Sequence, residues 1–239
     1  MPTALKLTAA AVKREASALR DPERARFLQR FFRTGPGEYA EGDRLLGLTV
    51  PDQRQIVRAY RGLGLGEVQK LLQSPFHEHR VIALLILVDQ HKRGGAEEKE
   101  ELHRFYLDNL SGINNWDLVD CSAGTLVGEH IARNKKLLRT LVRSSTLWHR
   151  RIAIVSTFAE LRAGRTALTF WVAEQLLADK HDLIHKAVGW LLREAGKRSQ
   201  AELVQFLRAH YARLPRTTLR YAIERIDPVE RKKWLAGPQ

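Results

Sequence analysis

One cysteine, Cys121, is all that the 239 residues carry, so an internal disulfide framework and a cysteine-cluster metal site are both excluded. Long hydrophobic runs are missing as well. The longest, Val81–Val88, falls far short of the roughly 20 residues that a membrane-spanning helix needs. The N-terminus shows neither the apolar core nor the cleavage site of a secretory signal, and Glu15 argues against a transit peptide. No stretch alternates apolar and polar residues with a period of two, so no strand is expected. Acidic residues are outnumbered, 27 against 40 basic, which leaves a net charge of +13. Basic residues run from Lys6 to Lys233 without a block, so the charge belongs to folded elements rather than to a tail. These absences leave a soluble, basic, globular protein of a reducing compartment, expected in the cytoplasm and, in a bacterium, against the nucleoid. Its charge favours polyanions, nucleic acid before an anionic membrane surface.

What is present is helical periodicity. Apolar residues recur at spacings of three and four in Ile152, Val155, Ala159 and in Leu203, Phe206, Leu207. Pro22, Pro51, Pro75, Pro215 and Pro228 each open a helix-like segment, where the missing N–H costs nothing. Thr34–Val50 is the exception, because Gly35, Pro36, Gly37 and Gly42 forbid a regular helix. No Gly-Lys-Ser/Thr follows it, so it is not a nucleotide P-loop. Gly62-Leu63-Gly64-Leu65-Gly66 follows no strand and reads as a helix–helix turn.

Sliding the chain along itself by about 35 residues brings five segments into register, beginning at Arg80, Asn115, Arg150, His185 and Arg220. Three positions on, Ala83, Leu118, Ala153, Val188 and Ile223 are all apolar; six positions before, Ser74, Asn109, Ser144 and Asp179 are residues that favour helix N-caps. Each unit is thus a helix, a turn and a second helix, the pattern of an all-α solenoid. The expected organisation is a single domain over 1–239, with N-terminal helices to 62 and repeats from 63 to 235. It has a concave basic groove lined by the second helices.

The register also says which side chains share a stripe of successive second helices. Its middle three repeats place Trp116 with Asp120, Arg151 with Val155, and Lys186 with Trp190. Two indoles, one carboxylate and two cations make an odd set for a core. The bland alternative has the indoles plugging gaps between repeats and Asp120 pairing with Arg151. As a groove, the set suits nucleic acid, with cations on phosphates and indole faces against bases. A carboxylate there points to attack on the sugar–base bond, whose cleavage passes through a sugar cation. No general acid accompanies it. An alkylated purine with a quaternised ring nitrogen needs none, and the indoles would hold such a cation by cation–π attraction.

Three segments carry a family resemblance. Asn115-Trp116-Asp117-Leu118-Val119-Asp120, Trp148-His149-Arg150-Arg151 and Lys186-Ala187-Val188-Gly189-Trp190-Leu191-Leu192-Arg193-Glu194 resemble motifs of the AlkD-like DNA alkylation-repair glycosylases. The resemblance implies HEAT-like repeats and excision of cationic N3- and N7-alkylpurines from duplex DNA, without a metal, a cofactor or a deep base-flipping pocket. It implies that Asp120 is the catalytic carboxylate, that Trp116 and Trp190 are aromatic walls, and that Arg151 contacts the DNA backbone. Asn115 stands where some members carry a second aromatic, and Phe27 where a tyrosine can occur. Arg150, Lys186, Trp148, Arg193, Lys197 and Phe27 complete the candidate DNA contacts of a monomer. The rival reading is a non-catalytic HEAT-like scaffold for DNA or RNA structure, and a third is a solenoid for acidic proteins.

Other signals are weaker. His181 and His185 have metal-pair spacing but no third ligand, and read as a solvated pair touching phosphate. His77 and His79 flank Glu78 on opposite sides of a helix start and suggest no site. Cys121 reads as a small buried hydrophobe. Lys92, Arg162 and Lys197 end second helices, where they offset the helix dipole or reach phosphates. Trp171 and Trp234 read as packing residues.

Overall fold

The computed structural model describes residues 6–237. Residues 1–5 and 238–239 lie outside them, and with them part of the stretch read for a targeting signal. The fold is all-α, of the α-solenoid class, with no strand among the described residues beyond an isolated bridge between Arg44 and Phe76. No helix among them is long and apolar enough to cross a membrane. The chain divides into two compact units, 1–126 and 127–239.

The first unit contains α1 (Ala9–Ala18), α2 (Pro22–Phe32), α3 (Val50–Ala59), α4 (Leu65–Leu72), α5 (His77–Arg93), α6 (Ala96–Asp108) and α7 (Trp116–Leu126). Prolines start α2 and α3 as expected, beside side-chain caps from Asp21 and Thr49. The second helices stack in order, α3 on α5 and α5 on α7, while α4 and α6 pack behind them. Residues 33–49 form the expected irregular segment, and they do more than connect. The Glu78 carboxylate, buried at the start of α5, accepts the N–H groups of Leu46 at 2.9 Å and Gly47 at 2.7 Å. Gly47 has φ +85°, and a Cβ there would stand 2.2 Å from the Asp21 carbonyl oxygen, so only glycine lets this segment lie on the start of α2.

The second unit contains α8 (Gly128–Ile131), α9 (Lys135–Val142), α10 (Leu147–Ser156), α11 (Phe158–Arg162), α12 (Ala167–Gln175), α13 (Asp182–Gly196), α14 (Gln200–His210), α15 (Arg216–Ala222) and α16 (Pro228–Ala236). Here α10 packs on α13 and α13 on α15, with α9, α12 and α14 behind. The most intimate of these contacts explains a glycine of the Lys186–Glu194 segment. A Cβ on Gly189 would lie 2.5 Å from Tyr221 Cβ and 2.6 Å from the Thr218 carbonyl oxygen. Gly189→Ala is therefore expected to lower stability by about 1–3 kcal/mol. A thermal melt of the variant checks it.

The register has a physical basis. The column Ala83, Leu118, Ala153, Val188, Ile223 is fully buried. Arg80 donates to the Ser74 carbonyl and Arg150 to the Ser144 carbonyl, and His185 Nε2 bonds the Asp179 carbonyl. The residue that opens three of the repeats is thus a clamp on its own interhelix turn. One expectation is corrected here. Ser74, Ser144 and Asp179 do not cap the second helices; their side chains accept the N–H two residues on, shaping the turn itself. Asn109 instead ends α6 and donates to the Phe105 carbonyl.

Candidate nucleic-acid interface

In the first unit, Trp116 and Asp120 lie one turn apart on α7, and both are half-buried. Asn115, wholly buried, accepts the Trp116 N–H at 2.8 Å and so fixes where the helix begins. That accounts for a polar residue where some relatives of the resembled family carry an aromatic. The Trp116 indole stacks on Phe32 at 5.5 Å between centroids, meets Phe31 edge-on at 5.5 Å, and hydrogen-bonds the Tyr39 hydroxyl. Phe32 is buried, but Phe31 is 56% exposed and Phe27, one turn earlier on α2, is 71% exposed. Arg24, Arg26, Arg30 and Arg33 are exposed around them. Sequence reasoning named Phe27 alone; the Phe27–Phe31 spacing among arginines was the signal for the rest of this aromatic, basic face.

Cys121, expected as a small buried hydrophobe, follows Asp120 and is half-buried. Burial pushes its thiol well up, the Asp117 and Asp120 carboxylates push it further, and its Sγ–H donates to the Leu118 carbonyl.

Behind Trp116 lies a buried ionic cluster that sequence reasoning passed over. His77 is 2% exposed, and Arg80 and Asp43 are buried as well. His77 Nε2 sits 2.7 Å from Asp117 Oδ2 and its Nδ1 3.5 Å from Asp43 Oδ2. Arg80 pairs with the same Asp43 carboxylate, and Asn114 donates to its other oxygen at 3.2 Å. Burial alone would lower the His77 pKa. The Asp117 charge and hydrogen bond, with help from Asp43, reverse this and carry it to about 9. His79, two residues on, goes the other way: burial, then the Lys13 and Arg80 charges, take it to about 4.

These opposite shifts predict a stability maximum. The His77 contribution is complete below its ordinary pKa of 6.5 and disappears as pH rises through about 9. Neutral His79 penalises the fold as pH falls from 6.5 towards 4. Urea unfolding midpoints should accordingly peak near pH 6.5 and decline on both sides. His77→Gln should remove the alkaline decline alone.

In the second unit, Trp190 is half-buried on α13 and its ring lies 5.9 Å from that of Phe158, over which the Arg162 guanidinium sits at 4.7 Å. Lys186, one turn before Trp190, pairs with Asp182 at 2.7 Å, both partly exposed. Arg193 pairs with Glu224 and Glu194, and Lys197 with Glu194 at 2.7 Å. These cations sit at the surface beside carboxylates.

Three of the candidate DNA contacts also make contacts within the fold. Trp148 is only 8% exposed, and Arg151, three residues later on α10, is 5% exposed and donates to the Leu183 carbonyl near the start of α13. Arg151 thus ties α10 to the start of α13. Arg150 clamps its turn through the Ser144 and Ser145 carbonyls and pairs with Asp179 at 2.5 Å. His181 and His185, both half-buried, serve the fold as well. His181 caps α13 by accepting the Leu183 N–H, and His185 holds the Asp179 carbonyl, so both rings shape the start of that helix. No group of three or more potential metal ligands occurs among the described residues.

Comparison with known proteins agrees with the fold and with the motifs. A predicted DNA alkylation repair enzyme from Enterococcus faecalis superposes with a TM-score of 0.69 over 87% of this chain and 97% of its own, at 16% identity. That likeness speaks to the fold. No functionally curated protein matches the sequence significantly. The sequence model of the DNA alkylation repair enzymes matches residues 12–226, nearly the whole length. The chain belongs to the DNA alkylation repair enzyme family.

Proposed function

We propose that this protein is a DNA glycosylase that hydrolyses the N-glycosidic bond of positively charged N3- and N7-alkylpurines in duplex DNA. The observation that carries the reading is the half-exposed Asp120 one helical turn from Trp116, whose indole meets the exposed Phe31 of the arginine-bearing α2. In the reaction the bond from the sugar C1′ to the purine nitrogen breaks and its electron pair leaves with the base, which thereby becomes neutral. Water adds to C1′ and gives up a proton, leaving an abasic site and the free base. The sugar carries positive charge at the transition state, and Asp120 is the anion that stabilises it and orients the water. A leaving group that is already cationic needs no acid, consistent with a single carboxylate on this stripe.

Trp116 is held by Phe31, Phe32 and Tyr39 with part of its surface free for the lesion. Phe27 and Phe31 offer flat surfaces to exposed bases, and the α2 arginines meet phosphates. Within the second unit, Trp190, Lys186, Arg193 and Lys197 are proposed as DNA contacts in their own right. Release of 7-methylguanine or 3-methyladenine from methylated duplex DNA tests the assignment. Duplex binding with no release of either base would overturn it and place the protein among non-catalytic DNA binders.

A further inference from the structure

We propose that His77 is a positioning residue for Trp116, acting through Asp117 and through the Phe32 ring. Two contacts converge on the indole from this one side chain. His77 bonds Asp117, the residue directly after Trp116, at 2.7 Å. Its ring also lies 4.6 Å from that of Phe32, on which Trp116 stacks. Both the backbone at the start of α7 and the face that supports the indole thus rest on one imidazole.

The arrangement is costly for a purely structural device. Well-packed apolar residues in place of a buried ionic cluster are often equally stabilising or better. What ions add is a fixed geometry, because each charge must meet its partner. The groups that face His77 are Asp117 from α7, Asp43 from the irregular segment, and Arg80 from its own helix. Glu78, also on that helix, is taken up by the Leu46 and Gly47 N–H groups. Two carboxylates against one guanidinium favour the imidazolium, and the protonated ring holds Asp117 and supports Phe32 together. Loss of its proton removes the charge that holds Asp117, and loss of the ring releases both contacts, so in either case the indole meets the damaged nucleotide in a broader range of poses. A misplaced contact group lowers the rate of the chemical step more than it lowers DNA affinity.

The activity arm of the test rests on the glycosylase reading; the spectroscopic arm does not. Trp116 emission, taken as the difference between the protein and its Trp116→Phe variant, is titrated from neutrality into alkali. The expected result is a step with a midpoint of about 9. It is retained in Tyr39→Phe, which removes the phenol bonded to the indole, and absent in His77→Gln. Absence of the step in the unmodified protein, or its persistence in His77→Gln, overturns the proposal, and the first of these needs no His77 variant to fold. In single-turnover excision, His77→Gln is expected to slow base release by about tenfold to a hundredfold with DNA affinity unchanged. An unchanged rate in the folded variant overturns it too. If the unmodified protein releases no alkylated base, the glycosylase reading fails, while the emission titration still decides the role of His77.

Discussion

Asp120→Asn is expected to lower the single-turnover rate of alkylpurine release by on the order of a thousandfold, with duplex DNA affinity kept or raised. A carboxylate about 4 Å from a developing unit charge, at an effective dielectric near 20, contributes roughly 4 kcal/mol, which is that factor in rate. The amide has the same shape but no charge, so it neither offsets the sugar cation nor takes a proton from water. Affinity behaves oppositely because an anion amid phosphates repels them, and its removal relieves that repulsion. The separation of the two effects is diagnostic, since a change that merely disturbed α7 would weaken binding as well. Quantifying free base from methylated duplex DNA, beside a binding titration of the same variant, makes the measurement. A variant within a few-fold of the parent rate would remove Asp120 from the chemistry.

Asp43→Ala is the substitution expected to cost most stability, about 3–5 kcal/mol. Its carboxylate accepts from Arg80 and from Asn114, and it lies 3.5 Å from His77 Nδ1, all in a buried setting. Burial by itself would raise the Asp43 pKa, yet the His77 hydrogen bond, Arg80 and Asn114 together hold it below the ordinary carboxylate range. Truncation leaves two cations facing each other without their shared anion, the circumstance in which a buried ionic group is most destabilising. The measurement is the urea midpoint at neutral pH. The loss should narrow as the parent protein is acidified, because protonating Asp43 removes the same interaction. A shift of less than 1 kcal/mol would show that water or neighbouring groups replace the carboxylate.

Helix class and repeat were readable in the residues because both are local. Spacings of three and four define a helix face, and a period near 35 brought Ala83, Leu118, Ala153 and Val188 into one buried column. The one-turn relation of Trp116 to Asp120 is equally local, and it survives in α7. The turn residues were recognised but given the wrong task, since serine and aspartate serve caps and tight turns through the same acceptor oxygen. The glycine pattern of 34–50 announced an irregular segment, but not that Glu78 anchors it from 31 and 32 residues away.

Sequence alone determined the helical class, the repeat, the basic surface and the α7 pair, because each follows from periodicity, composition or spacing within a few turns. Tertiary structure alone decided which charged and aromatic residues are available to a ligand. Arg150 and Arg151 are adjacent, cationic and flexible, and nothing in their neighbourhood foretold that one would clamp a turn and the other meet a carbonyl 32 residues on. His77 and Asp117 stand 40 positions apart and Asn114 and Asp43 stand 71. Such pairings depend on how one helix seats against another. That seating is set by the whole packed interior, so the partner of a long charged side chain is a property of the fold and not of the segment that carries it.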